Sequence, residues 1–210
     1  MYERSMEYVR YLEEGRWMVQ RDDVSDFWAN IFRERRNYPD FNAMLAMRRG
    51  PSYPLADRAA EAAGDPEAEL RHARAAFYVV SQSAPASYLH EFKESPFGCP
   101  VSFDFGGRRL SAGGITNALT SYRIEEWCKS MGLASRPLRV LEIGAGYGQV
   151  AVQLFQQLTI ASYTICDLPE NLFLSAFYLQ ANFPDKKAVF VEDRSLSSGA
   201  PAELVFLAPP

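Results

Sequence analysis

From Leu138 onward the chain changes period. The segments PLRVLEI, GAGYG, QVAVQLFQQL, ASYTICD, ENLFLSAFYLQANF, KAVFVED and AELVFLAPP alternate short β-branched runs with helical ones, apart from the glycine bend. A strand can meet the next strand in parallel only through a crossover, so this alternation predicts a parallel sheet with helices packed on it. The expected fold class is α/β. Between the first strand and its helix lies a glycine-rich bend, Gly144-Ala145-Gly146-Tyr147-Gly148, where the missing side chains let the backbone approach a nucleotide-like ligand.

The residues ahead of this block read differently. Met6, Val9, Tyr11, Leu12 and Trp17 recur at mostly helical intervals, and Val24, Phe27, Trp28, Ile31 and Phe32 form an apolar stripe on a second helix that Asp22 or Asp23 could cap. After a proline-broken stretch around FNAMLAMRRG, a helix is expected from Pro66 through PEAELRHARAAFYVVSQ. Val101, Phe103 and Phe105 then alternate with polar residues before Gly106-Gly107, which suggests a short hairpin. A further helix carries Ile115, Leu119, Tyr122, Ile124, Trp127 and Met131, with Gly132 placed to end it. The division drawn from these patterns is a mainly helical region at 1–110 and a sheet-forming region, with its leading helix, at 111–210.

Composition excludes several classes. The 210 residues are 48% hydrophobic and 23% charged, which suits a chain with a buried core. A net charge of −4 offers no basic field for nucleic acid or a membrane surface. No run approaches the roughly 18 apolar residues of a spanning helix, and the first residues have no apolar signal region. Cys99, Cys128 and Cys166 lie far apart, and with only His72 and His90 no zinc spacing can be built. No metal is expected, and a cytoplasmic location is.

Spacing narrows the ligand. A dinucleotide fingerprint places glycines first, third and sixth, whereas here they stand first, third and fifth, with Gln149 sixth. Glu142, two places before the first glycine, supplies a charge that suits a ligand ammonium group, which NAD lacks. An NAD-dependent oxidoreductase is therefore disfavoured. The bend could also be a tight turn in any doubly wound sheet.

The strand, the acid and the GxGxG bend of residues 138–148 resemble the first motif of the class I S-adenosylmethionine-dependent methyltransferases. The resemblance runs from Leu138 to Pro210 and implies a Rossmann-like sheet, here ending after about four strands, and S-adenosylmethionine as cofactor. It implies that Glu142, Gly144, Ala145, Gly146, Tyr147, Gly148 and Gln149 surround the cofactor. Asp167, followed by Leu168, would pair with the ribose hydroxyls, and Asp193 would meet the adenine amino group. Plain alternatives stand beside these roles. Asp167 could cap the helix that Pro169 opens, Asp193 could be a solvated loop acid, and Cys166 could be a small buried apolar side chain.

The helical N-terminal layer, the GGITNALTSYR segment and DLPENLFLSAFYLQ together look like the bacterial sugar O-methyltransferases. That likeness makes Ser111, Thr116, Asn117, Tyr122 and Arg123 candidates for the pocket wall. Capping competes for Thr116 and Asn117, and a surface ion pair with Glu126 or Asp104 for Arg123. His72 and His90 read as ordinary helix residues rather than bases.

A class I core carries more strands than the four that fit here, so the sequence is expected to be a truncated product, with later strands and the general base beyond Pro210. Ala208-Pro209-Pro210 matches poorly the Asn or Asp, two prolines and an aromatic of nucleic-acid amino-methyltransferases. The function these features imply is methyl transfer to a hydroxyl of a sugar or sugar-bearing small molecule, by in-line displacement, with no catalytic residue named. The alternatives are an N- or C-methyltransferase acting on another small molecule, and a non-catalytic methyltransferase-like module. The module would self-associate through an exposed last strand.

Overall fold

A computed structural model describes residues 65–191 and 202–207. The helices expected around Met6–Trp17 and Val24–Phe32, the FNAMLAM stretch, Asp193 and Ala208-Pro209-Pro210 lie outside the described residues. The chain divides into two units, one of residues 42–134 and one that contains 135–210.

The described part of the first unit opens with α1, Pro66–Ser83. Asp65 caps it by accepting from the Glu67 amide at 2.9 Å, and Pro66 fills the first helical position, where no amide hydrogen is needed. A short helix α2, Ala86–Glu91, follows, then a two-residue hairpin of β1, Phe103–Asp104, and β2, Arg109–Leu110. The hairpin turns on Gly106 and Gly107, both at positive φ, as a tight turn between twisted strands demands. Helix α3, Ala112–Ser130, comes last, and Gly132 at φ 68° follows it.

Ala73 and Val80 of α1, Leu89 of α2 and Phe92 just after it, Leu110 of β2, and Ile115 and Ala118 of α3 belong to one buried cluster. Phe77 stacks on Phe105 at 4.7 Å, and Tyr88 meets Tyr122 at 4.8 Å. The Arg108 guanidinium donates to the carbonyls of Leu89 and Phe92 at 2.6 Å each, which satisfies acceptors at the end of α2. Because α3 contributes to this core, the division of the chain falls after Ala134 and not after Leu110 as its sequence pattern suggested.

The described part of the second unit is a four-stranded parallel sheet with two helices. Its elements are β3 (Leu138–Ile143), α4 (Gln149–Gln157), β4 (Ile160–Cys166), α5 (Pro169–Asn182), β5 (Ala188–Val191) and β6 (Leu204–Leu207). The α/β class expected from the alternating periods is present. The strand order is β3-β4-β6-β5, every neighbouring pair parallel. In the usual doubly wound order the first strand lies inside the sheet; among the described strands it is an edge here.

Register assigns the faces. Val140, Glu142, Tyr163, Ile165, Leu204 and Phe206 share one face, which α4 and α5 cover. Tyr163, Ile165, Leu204 and Phe206 are buried there, and Phe155 of α4 packs against Tyr163 and Phe183. Helix α5 is buried from Asn171 to Leu179 without a polar face, as a core helix should be. On the opposite face Leu141 and Ile143 are 61% and 78% exposed. The last described strand, β6, is hydrogen-bonded on both sides by β4 and β5. The exposed last strand expected from sequence is thus corrected. The apolar LVFL run earns an interior place, and exposure falls on β3.

Candidate functional site

Strands β3 and β4 end side by side, with Ile143 opposite Cys166 and the Gly144 amide donating to the Cys166 carbonyl at 2.9 Å. Each strand then releases its chemistry at the same lip, β3 into the glycine bend and β4 into Asp167. Open α/β sheets bind ligands beyond the carboxyl ends of their strands.

The bend holds Gly144, Gly146 and Gly148 at positive φ. A Cβ at Gly144 or Gly146 would meet nothing within 4 Å, so space beside these two is open. At Gly148, which opens α4, a Cβ would stand 3.3 Å from Leu179 of α5. This glycine therefore serves helix-on-helix packing. Ala145 is partly buried and its carbonyl accepts from the Gly148 amide at 3.0 Å, closing the turn.

Tyr147 and Gln149 depart from the expectation that they face the cofactor. Tyr147 is 8% exposed, sets its ring edge-on to Tyr178 at 5.1 Å, and its hydroxyl donates to Gln149, itself 4% exposed. Both side chains have turned into the core between α4 and α5, where the large Tyr ring gains most from burial.

Glu142 shares the helix-covered face of β3 and accepts from the Tyr163 hydroxyl at 2.8 Å. Burial, reinforced by the nearby Asp167 charge, pushes the Glu142 carboxyl up, although the Tyr163 bond pulls the other way. Burial also pushes the Tyr163 phenol far up, so it stays protonated and remains the donor.

Asp167 is 7% exposed. Its Oδ2 accepts from the Gly146 amide at 2.8 Å, and its Oδ1 accepts from the Leu168 amide and Asn171 Nδ2, both at 2.7 Å. The carboxylate thus ties the glycine bend to the start of α5, a role in which the capping alternative and the site role meet. Leu168 is half-buried beside it. Cys166 has its thiol pushed up by burial and by Asp167, which suits the plain alternative of a small apolar side chain.

The residues suggested as a pocket wall all belong to the first unit. Ser111, 7% exposed, caps α3 by accepting from the Gly114 amide at 2.9 Å, and its hydroxyl donates to Glu94. Thr116 and Asn117 fall inside α3 and not at its start, so they do not cap it; the Thr116 hydroxyl donates to the Ala112 carbonyl at 3.0 Å. Tyr122 packs on Tyr88, and Arg123 is exposed while Glu126 pairs with Lys129 at 2.9 Å. His72 and His90 are exposed on α1 and α2. Among the described residues no group of three His, Cys, Asp or Glu side chains could hold a metal ion, and no helix is long and apolar enough to cross a membrane.

Sequence reasoning missed two residues at the lip, Tyr163 and Asn171. Tyr163 was signalled by the alternation of β4, which puts it on the buried face, and Asn171 by its place four residues after Asp167, one helical turn on.

Compared with known protein families, with curated proteins and with solved structures, the chain matches none.

Proposed function

We propose that the chain binds S-adenosylmethionine at the 144–148 bend and serves methyl transfer to a hydroxyl of a sugar or sugar-bearing small molecule. The observation that carries the reading is the pairing of open backbone at Gly144 and Gly146 with two mostly buried carboxylates, Glu142 and Asp167, at the same strand ends. A helix start beside bare backbone ordinarily favours phosphate. Two acids there repel phosphate and favour a cation, which distinguishes a sulfonium nucleoside from a dinucleotide.

The residues present fit the cofactor at the glycines, where a nucleoside can lie against the backbone without meeting a side chain. S-adenosylmethionine, when bound, supplies a methyl group already activated by a positively charged sulfur. Gly144, Ala145 and Gly146 would form the floor, Asp167 would fix the bend through the Gly146 amide, and Leu168 would border the lip. Glu142 supplies negative potential from below, with its orientation held by Tyr163. A Rossmann-like frame and a cytoplasmic location go with this reading. With β3 at the edge of the described strands, the binding place is the lip shared by β3 and β4 and not an interior switch point.

Incubation with methyl-labelled cofactor and a panel of sugars and nucleotide sugars tests the activity. Label in a sugar hydroxyl supports the proposal. Label only on nitrogen or carbon acceptors supports the broader methyltransferase alternative. A second reading, a non-catalytic assembly module, is favoured by one observation, the exposed Leu141 and Ile143 of β3. Stable oligomers by light scattering without cofactor binding would support it.

A further inference from the structure

Asn171 stands in the first turn of α5 and is 2% exposed, and the residues that follow it, Leu172, Phe173 and Leu174, are apolar and buried. An apolar side chain is the ordinary occupant of such a place. Asn171 brings an amide instead, whose Nδ2 donates to Asp167 Oδ1 at 2.7 Å and whose Oδ1 is sealed from solvent with no hydrogen-bond partner. The amide cannot be turned around, because a carboxylate only accepts. A buried acceptor left alone weighs against the fold, so what the residue contributes is its donor.

The carboxylate shows what that donor does. A carboxylate is planar and rigid, so fixing one oxygen fixes the other. Asn171 and the Leu168 amide hold Oδ1 on the α5 side, and Oδ2 is thereby aimed at the Gly146 amide, 21 residues back in the chain. A donor one helical turn on restrains the swing of the side chain more than its own neighbour's amide can alone.

We propose that Asn171 is a positioning residue, which locks Asp167 onto Gly146 and so keeps the bend in the shape that receives a nucleoside. This role rests on the nucleoside reading of the bend and adds the group that holds the bend ready. The unpartnered Oδ1 is the stability given up for that donor, a trade common where a site must keep one geometry.

Calorimetric titration of the full chain with S-adenosylmethionine tests the role, on the wild type, Asn171→Leu and Asn171→Asp. Asn171→Leu removes the donor and the orphaned acceptor together at nearly the same shape. It is expected to melt close to the wild-type temperature and to bind roughly tenfold more weakly. A residue that only supports the fold would lower the melting temperature and leave affinity unchanged. Asn171→Asp sets a second carboxylate against Asp167, and like charges so close drive the pair to take up a proton as pH falls. The acid O–H then donates across the pair as the amide did. The affinity of Asn171→Asp relative to wild type should therefore climb on acidification, from a deficit near about pH 8 toward parity near about pH 5. Glu142, Tyr163 and Cys166, the other titratable groups described at the lip, are common to both proteins and drop out of that ratio. The aspartate variant carries the test if the leucine variant does not fold. Wild-type affinity in a folded Asn171→Leu, or a ratio for Asn171→Asp that stays level with pH, would overturn the role of Asn171 and leave the nucleoside reading standing. No binding of S-adenosylmethionine by the wild type would overturn that reading, and this role with it.

Discussion

Asp167 holds together two pieces of chain that are distant in sequence, and Glu142 lies near enough to feel its charge. The shift on Glu142 has a consequence for stability. A carboxyl raised by burial binds its proton more tightly folded than unfolded, so stability from that proton is present at acid pH and is lost as pH rises through the folded value. At neutral pH an ionised Glu142 therefore weighs against the fold. Glu142→Gln keeps an acceptor for the Tyr163 hydroxyl and removes the charge. Thermal melts should show the variant more stable than wild type near about pH 8, with the gap closing toward about pH 4. A gap that widens on acidification would contradict the origin of the shift. The acid and the glycines were legible at this scale because spacing relative to the strand end names them. The inward turn of Tyr147 and Gln149 was not, because it depends on room between α4 and α5 that no local pattern encodes.

Among the elements, α3 shows how one glycine is required by a side chain from another segment. A Cβ at Gly114 would overlap the Glu94 carboxylate, which accepts from the Ser111 amide at 2.6 Å and from its hydroxyl at the same helix start. Alanine is ordinarily better than glycine inside a helix by about 1 kcal/mol. Gly114→Ala should therefore destabilise the wild type yet stabilise the Glu94→Ala background, a change of sign that a double-mutant cycle in denaturant would register. Additive effects would contradict the overlap. Element positions were largely readable: Pro66 marks the start of α1, Gly106-Gly107 the hairpin, and Gly132 the end of α3. Ser111 as the cap was not identified, since Thr116 and Asn117 offered competing capping chemistry a few residues on.

At the scale of the whole molecule, strand order decides what β3 means. Period and crossover logic reach the parallel sheet, but which strand sits beside which depends on pairings between distant segments. A doubly wound sheet ordinarily keeps its first strand inside. Among the described strands β3 is an edge, and its Leu141 and Ile143 are exposed. Ile143→Ser should accordingly change stability by no more than about 0.5 kcal/mol, as for a surface site. A loss of about 2–5 kcal/mol, typical of a large aliphatic core residue cut back, would show that Ile143 is buried and the order different.

The proposed function rests on bare backbone flanked by two acids receiving a sulfonium nucleoside. Isothermal titration of the full chain with S-adenosylmethionine, beside Gly146→Val, tests it most directly. A branched side chain at that positive φ would fill the open space and strain the bend. Saturable binding by the wild type, lost in a Gly146→Val protein that still melts cooperatively, is the predicted result. Equal affinity in the two proteins, or none in the wild type, would contradict the claim.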